Sequence, residues 1–252
     1  MQRIDRVAYT NRWRRRNPVE KLALAGAMLA LSLLLPIWPG CALVLLVMMA
    51  AALLGARIAP RTYLRAASPA LLFLALSAAS LSLSVAHDPQ SGLSLRVSAA
   101  GVLAAAQVAL RAVAALSCLL LVALTTPLPE IVSLLRRCRV PGEVIEVSLV
   151  IYHLLFSFFD TARRMAVAQE ARLGYSTLRR SYRSSALLVA SVLERSLSRA
   201  RSLEMGLAAR GFAGELRVLP VTSPMSRVFL AITLSLGALI SWISLCAGVP
   251  AP

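Results

Sequence analysis

Lysine is nearly absent from this 252-residue chain, which carries a single one, Lys21, beside 26 Arg. A phosphate-cradling G-x-x-x-x-G-K-[ST] loop needs Lys after Gly. Lys21 instead follows Glu20 and precedes Leu22, so this chain holds no P-loop ATPase of its own. Any energy from nucleotide must then arrive through a partner. Acids are scarce as well, 11 in all, and charged residues make up 15% of the chain where a soluble domain has about 25%. The four Cys form no C-x-x-C pair: Cys41, Cys118 and Cys246 lie in or beside apolar runs and Cys138 in a basic stretch. That pattern suggests neither a zinc site nor a disulfide framework. The only two histidines, His87 and His153, stand far apart and read as ordinary polar residues. No paired carboxylates, metal-ligand cluster or Ser-His-Asp set lies close enough in sequence to propose catalysis, so no catalytic residue, metal ligand or cofactor is assigned to this chain.

Apolar residues are plentiful, 58% of the chain, and the mean hydropathy is +0.74. They come in runs, Leu22 to Leu35, Ala42 to Leu54, Ala70 to Val85, about Ala99 to Leu124, and Val228 to Ala247, bounded by Arg, Pro and Gly. This predicts an all-α, polytopic membrane protein with about five spans. At ~1.5 Å per residue the shorter runs cover only ~21 to 24 Å of a ~30 Å hydrocarbon core, so flanking residues must extend them. Basic residues crowd the segment before the first run, and Arg57, Arg61 and Arg65 fall between the second and third, while the loop after the first has none. The positive-inside rule then places residues 1–20 in the cytoplasm, four spans in 21–125, and the last span at 228–247, in the inner membrane. Arg111 falls inside the fourth run, where a charge costs ~2.5 to 3.5 kcal/mol. It is expected as an intramembrane polar contact to another helix, a wet cleft or a partner. The formal charge of +16 is assigned to lipid headgroups and orientation rather than to nucleic acid, at ~1 kcal/mol per Arg toward anionic lipid.

Residues 126–227 hold 15 Arg and eight acids, too much for a connector, and are expected to form a cytoplasmic helical module. A short helix is predicted at Glu130 to Arg139 and a long one from Glu143 to about Arg172. The apolar start of the long helix, residues 143–159, leaves a sixth span open. Basic clusters at both ends argue for a helix that begins against the membrane domain and continues as an amphipathic cytoplasmic one. A second long helix, Ser184 to Arg210, repeats Ala186, Val189, Leu193, Leu197, Ala200 and Leu203 at steps of three and four, opposite Arg195, Ser198, Arg199 and Ser202. The two apolar faces are expected to pack on each other.

Both long helices finish alike, one in Ala171-Arg172-Leu173-Gly174, the other in Ala208-Ala209-Arg210-Gly211-Phe212. By itself this is a pair of ordinary helix ends, Gly supplying the left-handed stop and Arg complementing the dipole. Beside small residues, however, each guanidinium projects from a helix tip, ready for a bidentate pair with a partner carboxylate. With the opening Ile4-Asp5-Arg6-Val7-Ala8-Tyr9, then Pro18 and Lys21, these ends resemble the transmembrane T component of energy-coupling factor transporters, of the cobalt type. The second motif, Glu204 to Glu215, is the most specific part, and Leu173 interrupts the first. The resemblance implies a non-catalytic scaffold between two ABC-type ATPase subunits, which bind the ATP, and a membrane component that captures cobalt or nickel. Ala171, Arg172 and Gly174, with Ala209, Arg210 and Gly211, would be the ATPase-docking residues. The rival reading is a self-sufficient ion channel or secondary transporter.

Overall fold

The computed structural model describes residues 7–88, 92–135, 139–211 and 226–248. The expectations resting on Ile4, Asp5, Arg6, Arg136, Arg137, Cys138, Phe212 and Glu215 lie outside them. The chain divides into two compact units, residues 1–127 with 222–252, and residues 128–221.

In the first unit α1 runs from Pro18 to Leu34, started by the Asn17 side chain, which accepts the Val19 N–H at 3.0 Å, and by Pro18, whose missing donor costs nothing at a first turn. Helix α2, Ala42–Ala50, is continued by wide turns on both sides to cover Ile37–Gly55. Helix α3 runs from Pro60 to Ser82, starting ten residues before the apolar run expected at Ala70, so Arg61 and Arg65 sit in its first turns rather than in a loop. Then comes a short antiparallel ribbon, β1 (Leu83–Asp88) and β2 (Gly92–Val97), which links two helices of the all-α fold. Leu83 lies opposite Val97 and Val85 opposite Leu95, so the period-two apolar alternation of the two segments is in phase. Helix α4 is Ala99–Thr125, and α8, Arg227–Gly248, returns to this unit.

The core of this unit collects Met28 from α1, Val44 and Met48 from α2, Ala114, Cys118 and Leu121 from α4, and Ile240 from α8. Small side chains let helices approach closely where lipid offers no hydrophobic drive for association. Trp13 packs edge-on against Phe229, with ring centroids 5.6 Å apart, and Arg16 lies over the Phe229 ring at 4.7 Å. Outward, Leu72, Phe73 and Leu76 of α3 are each at least 70% exposed, a surface suited to lipid rather than water.

The second unit holds α5 (Leu128–Leu135), α6 (Gly142–Ala171) and α7 (Leu178–Ala209), with α6 packed on both others. Its last helix begins six residues before the expected Ser184. Among the described residues, five helical stretches are long and apolar enough to cross a membrane: Ile37–Gly55, Pro60–Ser82, Gly101–Thr125, Gly142–Ala171 and Val228–Cys246. Four of the five contain or overlap runs expected from sequence; α1, at 17 residues, is shorter than these, and α6, where a sixth span was left open, is among them.

Candidate functional site

Each long helix of the second unit ends in the same backbone motif, and an Arg holds the same place in both. Helix α6 stops at Ala171 and Arg172 is its C-cap, with φ −95° and ψ 18°. Helix α7 stops at Ala209, and Arg210 is the C-cap with φ −95° and ψ 9°. Both Arg therefore lie one residue past the last helical residue rather than in the final turn. At the α6 end the Leu173 N–H donates to the Glu170 carbonyl at 2.9 Å and the Gly174 N–H to the Gln169 carbonyl at 2.8 Å. That pair of bonds is a Schellman closure, which satisfies carbonyls the helix leaves orphaned. At the α7 end the Gly211 N–H donates to the Ala208 carbonyl at 3.0 Å, the equivalent bond.

Glycine plays different parts at the two ends. Gly211, with φ 71°, takes the left-handed stop position as expected. At the other end Leu173 occupies it, with φ 56°, which corrects the expectation for Gly174. Gly174 is needed for space: a Cβ there would stand 2.7 Å from Ser184 Oγ and 2.9 Å from the Gln169 carbonyl oxygen. The Ser184 hydroxyl donates to the Gly174 carbonyl at 3.0 Å and the Tyr175 hydroxyl to Gln169 Oε1 at 2.8 Å, so the bend from α6 into α7 is tied from both sides. A non-Gly residue in the left-handed region costs ~1 to 2 kcal/mol. Because Leu173 is 66% exposed, Leu173→Gly gives up little burial and should stabilise the purified chain by about 1 kcal/mol. Gly174→Ala should destabilise it. Thermal unfolding midpoints in detergent moving in opposite directions check both.

Arg172 and Arg210 are exposed, and among the described residues neither guanidinium is engaged in a hydrogen bond or ion pair. The fold does not bring them together. The 32 residues of α7 lie between them, ~48 Å of helix at 1.5 Å per residue. Ala171 and Ala209, immediately before the two Arg, are exposed too and put no bulk beside the forks.

Arg111, the other residue singled out, is resolved by its own chain. Its guanidinium donates through Nη2 to the carbonyl of Leu35, the C-cap of α1, at 3.1 Å, while its buried Nε finds no partner among the described residues. A matching contact that sequence reasoning missed stands at the opposite end of the same helix pair. Lys21, fully buried in α1, donates through Nζ to the carbonyl of Thr125, the last residue of α4, at 3.0 Å. Each helix thus presents a cation to the carboxyl end of its neighbour, where carbonyls are unpaired and the dipole is negative. Along both chains the cation and the capped carbonyl are 14 residues apart, Lys21 to Leu35 and Arg111 to Thr125, so the two contacts set one antiparallel register. Asn11 Nδ2 adds a bond to the Leu124 carbonyl at 2.9 Å, and buried Glu20 accepts the Ser226 N–H, joining α8 to the same end. The one sequence signal was a lone Lys beside a Glu in an otherwise apolar helix.

The apolar stripe of α7 departs from expectation. Val189, Leu193 and Leu197 are each more than half exposed. On α7 the cleft facing α6 is lined by Val192, Arg195, Ser198, Arg199, Ser202 and Leu203, a mixed surface to which the expected stripe contributes Leu203. Among the described residues no group of three or more His, Cys, Asp or Glu is placed to hold a metal ion.

Residues 10–220 match the CbiQ family, described as cobalt transport protein. The chain is 43% identical over 246 residues to the cobalt transport protein CbiQ of Rhodobacter capsulatus, which covers 98% of this chain and 97% of that one. It is 30% identical over 224 residues to the cobalt transport protein CbiQ of Salmonella typhimurium, covering 85% of this chain and 99% of the relative. A chain of Methanocorpusculum labreanum described as a fused cobalt transport protein CbiMQ is 27% identical over 207 residues, or 34% of that longer protein. Near-complete coverage in both directions, with the apolar helices of a multi-pass membrane protein, places the chain in the CbiQ family of cobalt transport proteins, the T components of energy-coupling factor transporters.

Proposed function

We propose that this chain is the non-catalytic coupling scaffold of an energy-coupling factor importer that takes up cobalt, with nickel as the nearest substitute. Two ABC-type ATPase subunits bind the ATP, seat Arg172 and Arg210 in equivalent grooves, and draw the two helix ends together on closure. Helices α6 and α7 relay that stroke to a separate membrane component that holds the ion. Residues 126–227 face the cytoplasm, residues 1–20 lie on the same side, and the membrane part is 21–125 with 228–247, in the inner membrane.

The observation that carries the proposal is the matched position of the two Arg. Two helix ends closed alike, each with an exposed Arg as its C-cap and separated by ~48 Å, fit a partner that offers the same groove twice. The fused relative supports a membrane partner, because in that protein a CbiQ-like part shares one chain with another component. Reconstitution tests the proposal. Proteoliposomes holding this chain, its membrane partner and both ATPase subunits should accumulate cobalt when ATP is supplied, and those holding this chain alone should not. ATP-independent accumulation by the chain alone would establish the self-sufficient transporter instead.

A further inference from the structure

Between the distal halves of α6 and α7 lies an open cleft of about 550 Å³, within the range of small-ligand sites. One wall presents Arg195 and Arg199, a single helical turn apart on α7. The facing wall presents His153, Ser157 and Thr161 from α6, and among the described residues no acidic side chain lines the cleft. Among the described residues neither Arg195 nor Arg199 forms an ion pair, and the nearest acid on α6, Asp160, stands 3.6 Å from Arg164 instead. Two guanidiniums share this cleft with hydroxyl and imidazole donors, and among the described residues no carboxylate compensates their charge. That donor set matches an oxyanion with several acceptor oxygens. Leu154 and Phe158 add apolar surface beside it.

We propose that this cleft binds a phosphate monoester or diester anion, gripped by Arg195 and Arg199, with His153, Ser157 and Thr161 donating from the opposite wall. The anion is either a phospholipid headgroup or a free phosphate. The sequence at the cleft favours lipid, because on α6 it falls where apolar residues up to Phe159 meet Arg163 and Arg164, a pairing suited to a helix lying against the cytoplasmic headgroup surface. The proposal is independent of the docking role of Arg172 and Arg210.

The test uses the full chain in a neutral detergent, with binding of short-chain phosphatidylglycerol, phosphatidylcholine and inorganic phosphate measured separately. Phosphatidylglycerol should bind tightest, and Arg195→Gln with Arg199→Gln should weaken it about tenfold per guanidinium. Removing the same charge elsewhere on α7, with Arg179→Gln and Arg183→Gln, should leave binding unchanged. Ser157→Phe, which fills the cleft and keeps both Arg, should also abolish binding, so loss of charge and loss of space are read independently. Saturable phosphate binding with the same dependence on these variants would identify free phosphate as the source and uphold the site. If the control pair weakens binding as much as Arg195 and Arg199 do, or if Ser157→Phe binds like the parent, the site does not exist.

Discussion

Arg210→Glu is expected to abolish stable co-purification with the ATPase subunits and to reduce ATP-driven cobalt uptake at least tenfold, while the chain itself still inserts and purifies. Hydrogen bonds between a guanidinium and a partner carboxylate are worth about 1.5 to 3 kcal/mol where water is excluded, and a bidentate pair adds geometric selectivity. Losing about 3 kcal/mol weakens an interface roughly 100-fold, and the substituted carboxylate adds repulsion. The effect on the helix is smaller. Gly211 still supplies the left-handed stop, and the dipole contribution of one terminal cation is about 0.3 to 1 kcal/mol. Docking and folding are therefore separable, and circular dichroism of the purified variant should match the parent. Arg172→Glu should act in the same direction, since a stroke that draws two helix ends together needs a grip on each. Undiminished assembly and uptake in either variant would remove that Arg from the proposed mechanism.

Lys21→Ala should be the most damaging single change in the membrane unit, destabilising it by about 3 kcal/mol or more. The substitution opens a cavity at a fully buried position and strips the Thr125 carbonyl of its charged donor. Lys21→Met retains most of the volume and should recover part of the loss, which separates packing from hydrogen bonding. Lys21→Arg should not rescue, because a planar five-donor fork does not fit where a compact ammonium meets one helix end. The readout is the fraction of chain that remains in a monodisperse peak after graded heating in detergent. A Lys21→Ala profile overlying the parent would mean that the Nζ to Thr125 contact contributes nothing.

Much of this protein was legible before any coordinates. Its apolar runs and their Arg and Pro boundaries determined a multi-span helical protein, and the lone Lys excluded a phosphate loop. The two Arg-containing helix ends marked the candidate docking points, because a C-cap is written within five or six consecutive residues. Three features were decided only by tertiary structure. Periodicity showed which residues of α7 share a face, yet only packing decided that Arg195, Ser198, Arg199 and Ser202 line the α6 cleft beside Val192 and Leu203 while Val189, Leu193 and Leu197 stay exposed; the same stripe serves either arrangement. The left-handed position fell to Leu173 because α6 stops at Ala171 with Arg172 as its cap, and Gly174 is held to a hydrogen side chain by Ser184, ten residues on, a constraint that arises only once the bend closes. The partners of Lys21 and Arg111 are backbone carbonyls 104 and 76 residues away, and every residue carries a carbonyl. No side-chain pattern distinguishes the one that a helix end leaves open to receive a cation.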